Sequence, residues 1–132
     1  MPHKMSLDHV SLLVRNLDAS EAFYTGVLGF TPIHNGTTQP HIRWYCIGGV
    51  TALHITQGEL GKTHLEKPTH FAVHVEDFDG FVADLRNRGI PFWDWPGKPN
   101  NVTGRPDGFR QIYVQDPDGY WIEVNDHTRG VA

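Results

Sequence analysis

Two stretches decide the reading: Asp8-His9-Val10-Ser11-Leu12-Leu13-Val14-Arg15-Asn16-Leu17-Asp18-Ala19 and Thr69-His70-Phe71-Ala72-Val73-His74-Val75-Glu76-Asp77-Phe78-Asp79-Gly80, offset by 61 residues. Each begins with strand-type alternation. Over 7–14, Val10, Leu12 and Val14 make one apolar face, and His9, Ser11 and Leu13 make the other. Over 68–75, Phe71, Val73 and Val75 face one way, and His70, Ala72 and His74 the other. A capping acid follows in both: Asp18 in the first, Asp77 or Asp79 in the second. The helices it starts run to about Leu28 and Arg88, and a glycine stops each, Gly29 and Gly89. The first helix is expected to bury Phe23, Val27 and Leu28.

Outward from these stretches the pattern continues in parallel. Strands are expected at 30–34, 42–47 and 52–56, the last two joined at Gly48-Gly49. The second half offers 90–95, 111–115 and 120–125, the last two joined by Asp116-Pro117-Asp118-Gly119. Leu28-Gly29-Phe30 matches Arg88-Gly89-Ile90, and Leu53-His54-Ile55 matches Ile122-Glu123-Val124. The chain therefore reads as strand–helix–three strands, twice, with a period of about 60 residues. The fold class is α+β: one domain over 1–132 built from two βαβββ modules, about 5–57 and 68–126, with mixed strands. A polar linker, 57–67, separates them, and the long segment 96–108 is either an exposed connector or a lid.

Composition narrows the function. The 132 residues carry a net charge of −4, which argues against nucleic acid as a partner. No apolar run approaches the roughly 18 residues of a membrane span, and the first residues lack the apolar core of a signal peptide. The single cysteine, Cys46, cannot form an internal disulfide, so a cytoplasmic location is expected. Nine histidines outnumber four lysines, and histidine is the commonest metal ligand.

The repeat singles out four positions: His9 and His70 in the first strand of each half, His54 and Glu123 in the last. Alternation turns all four away from the helix-packing residues. Three imidazoles and a carboxylate suit a divalent cation, and a buried carboxylate is costly unless paired or bound to metal. Trp121 and Asn125 share the face of Glu123, and His74 that of His70. Ser11, Gln111, Tyr113 and Trp44 are further candidates to line a substrate cavity.

These motifs, together with Asp116-Pro117-Asp118-Gly119-Tyr120-Trp121-Ile122-Glu123-Val124-Asn125-Asp126, make 7–125 similar to the vicinal-oxygen-chelate superfamily. That superfamily includes glyoxalase I, fosfomycin-resistance transferases, extradiol dioxygenases and bleomycin-binding proteins. The resemblance implies an open, cupped sheet holding one divalent metal per site, Mn, Fe, Ni or Zn. It implies His9, His70 and Glu123 as ligands, and Glu123 as the catalytic residue. His54 stands where glyoxalase I carries a glutamate. Gln111 stands where the fosfomycin-type enzymes carry a phosphonate-binding serine, and Arg105, Arg110 and Arg129 are candidates for a cationic cage. The implied activity is metal-dependent lyase, isomerase or thiol-transferase chemistry on a small oxygen-chelating substrate, with a thiol co-substrate in the last case. An Fe(II) dioxygenase and a metal-free binding protein are the alternatives. A homodimer is the implied assembly.

Overall fold

The structure is a computed structural model that describes residues 3–49, 51–63 and 65–127. The chain divides into two compact units, Met1–Thr63 and His64–Ala132. In the first, β1 (His9–Val14) leads into α1 (Leu17–Gly26), then β2 (Thr31–Ile33), β3 (Ile42–Ile47) and β4 (Thr51–Gln57). Its sheet has the order β1-β4-β3-β2, with β1 parallel to β4 and the other pairs antiparallel. The second unit repeats this. There β5 (His70–His74) and α2 (Phe78–Asn87) precede β6 (Thr103–Gly104), β7 (Arg110–Gln115) and β8 (Trp121–Asn125). The order is β5-β8-β7-β6, again with one parallel pair, β5 with β8. Strand–helix–three strands therefore occurs twice, as expected, in an α+β fold. No helix among the described residues is long and apolar enough to cross a membrane.

Each sheet buries one face. In the first unit Val14, Tyr45, Leu53 and Ile55 are fully buried, with Leu17, Tyr24 and Phe30 beside them. The second unit buries Phe78, Val82, Leu85, Phe92, Ile112, Val114, Ile122 and Val124. Polar groups tie the first helix to its sheet. Tyr45 donates its phenol to Glu21 at 2.7 Å, and Arg43 pairs with Asp18 at 2.9 Å.

Three expectations need correction. The cap of α1 is Asn16, not Asp18; its side-chain oxygen accepts the Ala19 N–H at 2.8 Å. Asp77 is its counterpart, accepting from Gly80. Starting the helix earlier rotates its buried stripe to Leu17, Ser20 and Tyr24, so Phe23 and Val27 are only half-buried. Gly29 and Gly89 do end their helices, with φ of +73° and +67°. There the Phe30 and Ile90 N–H groups reach back to the carbonyls of Tyr24 and Leu85.

The third correction concerns 90–95, which is not a strand. It keeps only isolated antiparallel bridges at Trp93, one to Tyr113 and one to Pro99 as the chain folds back. Asp94 is the cause. Its carboxylate gathers the Gly97 and Lys98 N–H groups and the Asn101 amide at 2.6–2.9 Å, closing a loop where a strand would continue. The fourth strand comes later, as Thr103–Gly104. The first half of the segment 96–108 is thus pinned, since Thr103 Oγ1 also accepts the Trp95 N–H at 2.8 Å.

The rotated stripe makes a prediction. Tyr24→Ala should lose about 3–5 kcal/mol, the usual large-to-small core cost, and Phe23→Ala clearly less. Urea denaturation of the two variants checks this; equal losses would restore the Phe23 stripe.

Candidate metal centre

The pairing of β5, β8 and β7 sets the geometry of the second unit. Its register aligns Ala72 with Glu123 and Tyr113, His70 with Trp121 and Gln115, and His74 with Asn125 and Gln111. Directly paired residues share a face, so all of these point away from the apolar core.

Glu123 lies at the centre of this face and is only 8% exposed. A carboxylate so placed needs partners. Tyr113 donates its phenol to Oε1 at 3.0 Å, and Asn125 Nδ2 donates to Oε2 at 2.7 Å. Gln111 Nε2 in turn donates to the Tyr113 oxygen at 3.1 Å. The His127 N–H binds Asn125 Oδ1, which fixes the amide with its NH2 toward Glu123. Burial, and then the neighbouring Glu123 charge, push the Tyr113 phenol pKa upward, so it remains a proton donor.

His70 completes the group. Its Nδ1 lies 2.7 Å from the Lys67 carbonyl oxygen, which can only accept, so Nδ1 carries a proton. A neutral ring then presents the Nε2 lone pair, 3.3 Å from Glu123 Oε1. Two lone pairs facing each other at that distance repel. A cation held between them removes the repulsion, as does a second proton on the ring. Imidazole nitrogen and carboxylate oxygen are the donor set that Mn, Fe, Ni and Zn accept. The pair therefore fits a divalent metal.

The first unit arranges its two candidates differently. His9 and His54 stack, with ring centroids 4.0 Å apart and planes 15° apart. Trp44 covers the other side of His54 at 4.1 Å and 4°. Ser11 and Trp44 both pair in register with His54 and share its face. The Trp44 indole N–H is buried without an acceptor among the described residues. Burial first, then the nearby His9, lower the His54 pKa, against the pull of Asp8. His9 Nδ1 is 2.7 Å from the Asp8 carboxylate, so, as in His70, the ring is held through Nδ1. In-plane lone pairs on two stacked, near-parallel rings do not converge on one ion.

Each module thus brings two of the four candidates together. Among the described residues, no three His, Cys, Asp or Glu side chains come together where they could hold a metal ion. Of the cavity candidates, Gln111, Tyr113 and Trp121 lie on the Glu123 face, and Ser11 and Trp44 on the His54 face; His74 shares the Glu123 face but is exposed.

Among the described residues the arginines do not form a cage. Arg105 is engaged by Asp107 at 2.6 Å. Arg110 is held by Asp79 and Asp126, with its guanidinium over Phe78. Arg129 lies outside the described residues. The cation found on the Glu123 face is Lys67, which sequence reasoning missed; its position between Leu65-Glu66 and Pro68 carries no periodic signal.

Residues 6–124 match the model of the Glyoxalase/Bleomycin resistance protein/Dioxygenase superfamily, and the chain belongs to that superfamily. It is 27% identical over 125 residues to metallothiol transferase FosB of Shouchella clausii, covering 92% of this chain and 80% of that one. It is likewise 27% identical to Glyoxylase I 4 of Arabidopsis thaliana, covering 92% of this chain and 71% of the relative. A solved glyoxalase family protein from Bacillus anthracis superposes with a TM-score of 0.76 at 23% identity, covering 97% and 99% of the two chains. That likeness concerns the fold.

The network around Glu123 has a measurable consequence. Tyr113→Phe keeps the ring and removes one hydroxyl, stranding Gln111 Nε2 and freeing Glu123 Oε1. Thermal denaturation of chelator-treated protein should show a loss of about 1–3 kcal/mol, the usual range for a buried polar group left unsatisfied. An unchanged midpoint would mean that the phenol does not bear on the carboxylate.

Proposed function

We propose that this chain is a metal-dependent enzyme acting on a small substrate that chelates the metal through two oxygens. The reaction is of the lyase, isomerase or thiol-transfer type. The ligands in this reading are His70 and Glu123 from the second module and an imidazole from the first. His9 fills that last role better than His54. Its Nδ1 is tied by Asp8, whereas His54 is sandwiched between His9 and Trp44. The observation that carries the reading is the His70–Glu123 pair, an imidazole nitrogen set 3.3 Å from a carboxylate oxygen.

The metal, when bound, supplies Lewis-acid polarisation of the substrate oxygens. The remaining work belongs to side chains. Glu123 is the catalytic carboxylate and proton acceptor, its two oxygens held by the Tyr113 phenol and the Asn125 amide. Trp121, Gln111 and His74 line the substrate face of one module, Ser11 and Trp44 that of the other. The Shouchella clausii relative is a metallothiol transferase, which supports both the metal and a thiol co-substrate. The reading is of a cytoplasmic homodimer, which light scattering in solution tests.

Elemental analysis is the decisive experiment. Protein loaded with Mn, Fe, Ni or Zn and freed of excess should retain about one ion per chain. His70→Ala and Glu123→Ala should each lose it, His9→Ala should weaken it, and His54→Ala should keep it. Failure of the wild type to hold any metal overturns the reading. For loaded protein, turnover of the methylglyoxal–glutathione adduct, against thiol addition to an epoxide, separates the two reaction types.

A further inference from the structure

Lys67 is placed unusually for a lysine. Its ammonium lies 5.7 Å from the ring centroids of Trp95 and Tyr113 and 5.5 Å from that of Trp121. Two of those rings stand on the Glu123 face, and the phenol of Tyr113 is itself bonded to Glu123. Two main-chain carbonyls, Asp94 and Trp95, accept from the ammonium at 3.0 and 2.7 Å. An ammonium has three N–H donors, so one is left over. No carboxylate among the described residues forms an ion pair with it. Asp94, the acid that feels its charge, already spends its oxygens on Gly97, Lys98 and Asn101.

Rings and carbonyls orient a cation without cancelling its charge. The loop that Asp94 closes supplies both carbonyls, so the ammonium is held in place before any ligand arrives. Trp95 is 44% exposed, which leaves the cage open to solvent. A substrate oxyanion approaching Glu123 in a chain of net charge −4 would be repelled unless a cation offset the carboxylate. Arg105 and Arg110 are engaged by acids, whereas Lys67 is not.

We infer that Lys67 is a specificity-determining residue that binds the anionic end of the substrate, a carboxylate or phosphonate, with an apolar or planar portion lying against Trp95 and Trp121. This rests on the reading of the Glu123 face as the substrate face.

The experiment uses metal-loaded protein and tryptophan fluorescence, since two of the caging rings are tryptophans. Benzoate, phenylphosphonate and neutral benzamide are titrated in turn. Wild type should bind at least one of the two anions saturably, and about tenfold or more tighter than benzamide, the gain expected of a charge-assisted hydrogen bond. Preference between the anions tells carboxylate from phosphonate substrates. Lys67→Gln and Lys67→Met should lose that advantage while benzamide binding stays put; Lys67→Arg should keep most of it. Equal anion affinity in wild type and Lys67→Gln, with metal content unchanged, overturns the inference and makes Lys67 a latch on the loop. So does a wild type that binds neither anion, or that favours anion over benzamide by less than about threefold, which decides the matter even if the neutral variants fail to fold. A wild type that retains no metal overturns the parent reading instead, and elemental analysis of the same samples distinguishes the two failures.

Discussion

The inner face of the second module is organised around the buried carboxylate of Glu123. A carboxylate on the inner residue of a strand costs several kcal/mol unless its oxygens are met, and Glu123 is met on both. The register does this work. Tyr113 is the direct antiparallel partner of Glu123, so its phenol reaches one oxygen. Asn125 is two residues along the same strand, so its amide reaches the other. His70 comes from the parallel neighbour, one row away, and brings its Nε2 to 3.3 Å from Oε1. A slip of one residue in β8 would put Ile122 or Val124 on this face and turn the carboxylate into the apolar core.

The first module shares the topology but solves a different problem. With His54 in the position equivalent to Glu123, no buried charge needs donors, and neutral rings can stack. Gly36 lies against the edge of the Trp44 ring, where a Cβ would lie 3.1 Å from the indole. The two halves are thus alike in backbone and unlike in chemistry. One is a hydrogen-bonded carboxylate, the other a column of three rings.

Much of this was legible in sequence because it is local and periodic. Strand alternation identified the faces of β1, β5 and β8, and the repeat picked out His9, His54, His70 and Glu123 as equivalents. The same repeat held the correct cap: Asn16 aligns with Asp77, and only the preference for an acid drew attention to Asp18. What failed depends on partners distant in sequence. Residues 90–95 have strand-like composition, yet an aspartate that gathers N–H groups three to seven residues ahead outcompetes the ladder. The arginines looked like a cage because sequence shows charge without showing which acid neutralises it; Asp79 is 31 residues from Arg110. Lys67 was invisible for the converse reason. Its carbonyl partners and rings come from segments 27 residues or more away.

Both repeat histidines have Nδ1 tied, but by different acceptors. For His9 the acceptor is the Asp8 side chain, which is largely exposed and can rotate away or be protonated. For His70 it is a main-chain carbonyl, which can do neither. That carbonyl belongs to Lys67, whose ammonium is fastened to the loop at Asp94 and Trp95. One residue therefore sets the tautomer of His70 through its backbone and holds a positive charge over Tyr113 and Trp121 through its side chain. The orientation of His70 and the charge of this face are coupled by covalent geometry. A displacement of the 94–101 loop would reach His70 through the Lys67 side chain and backbone, without passing through the strand ladder at all.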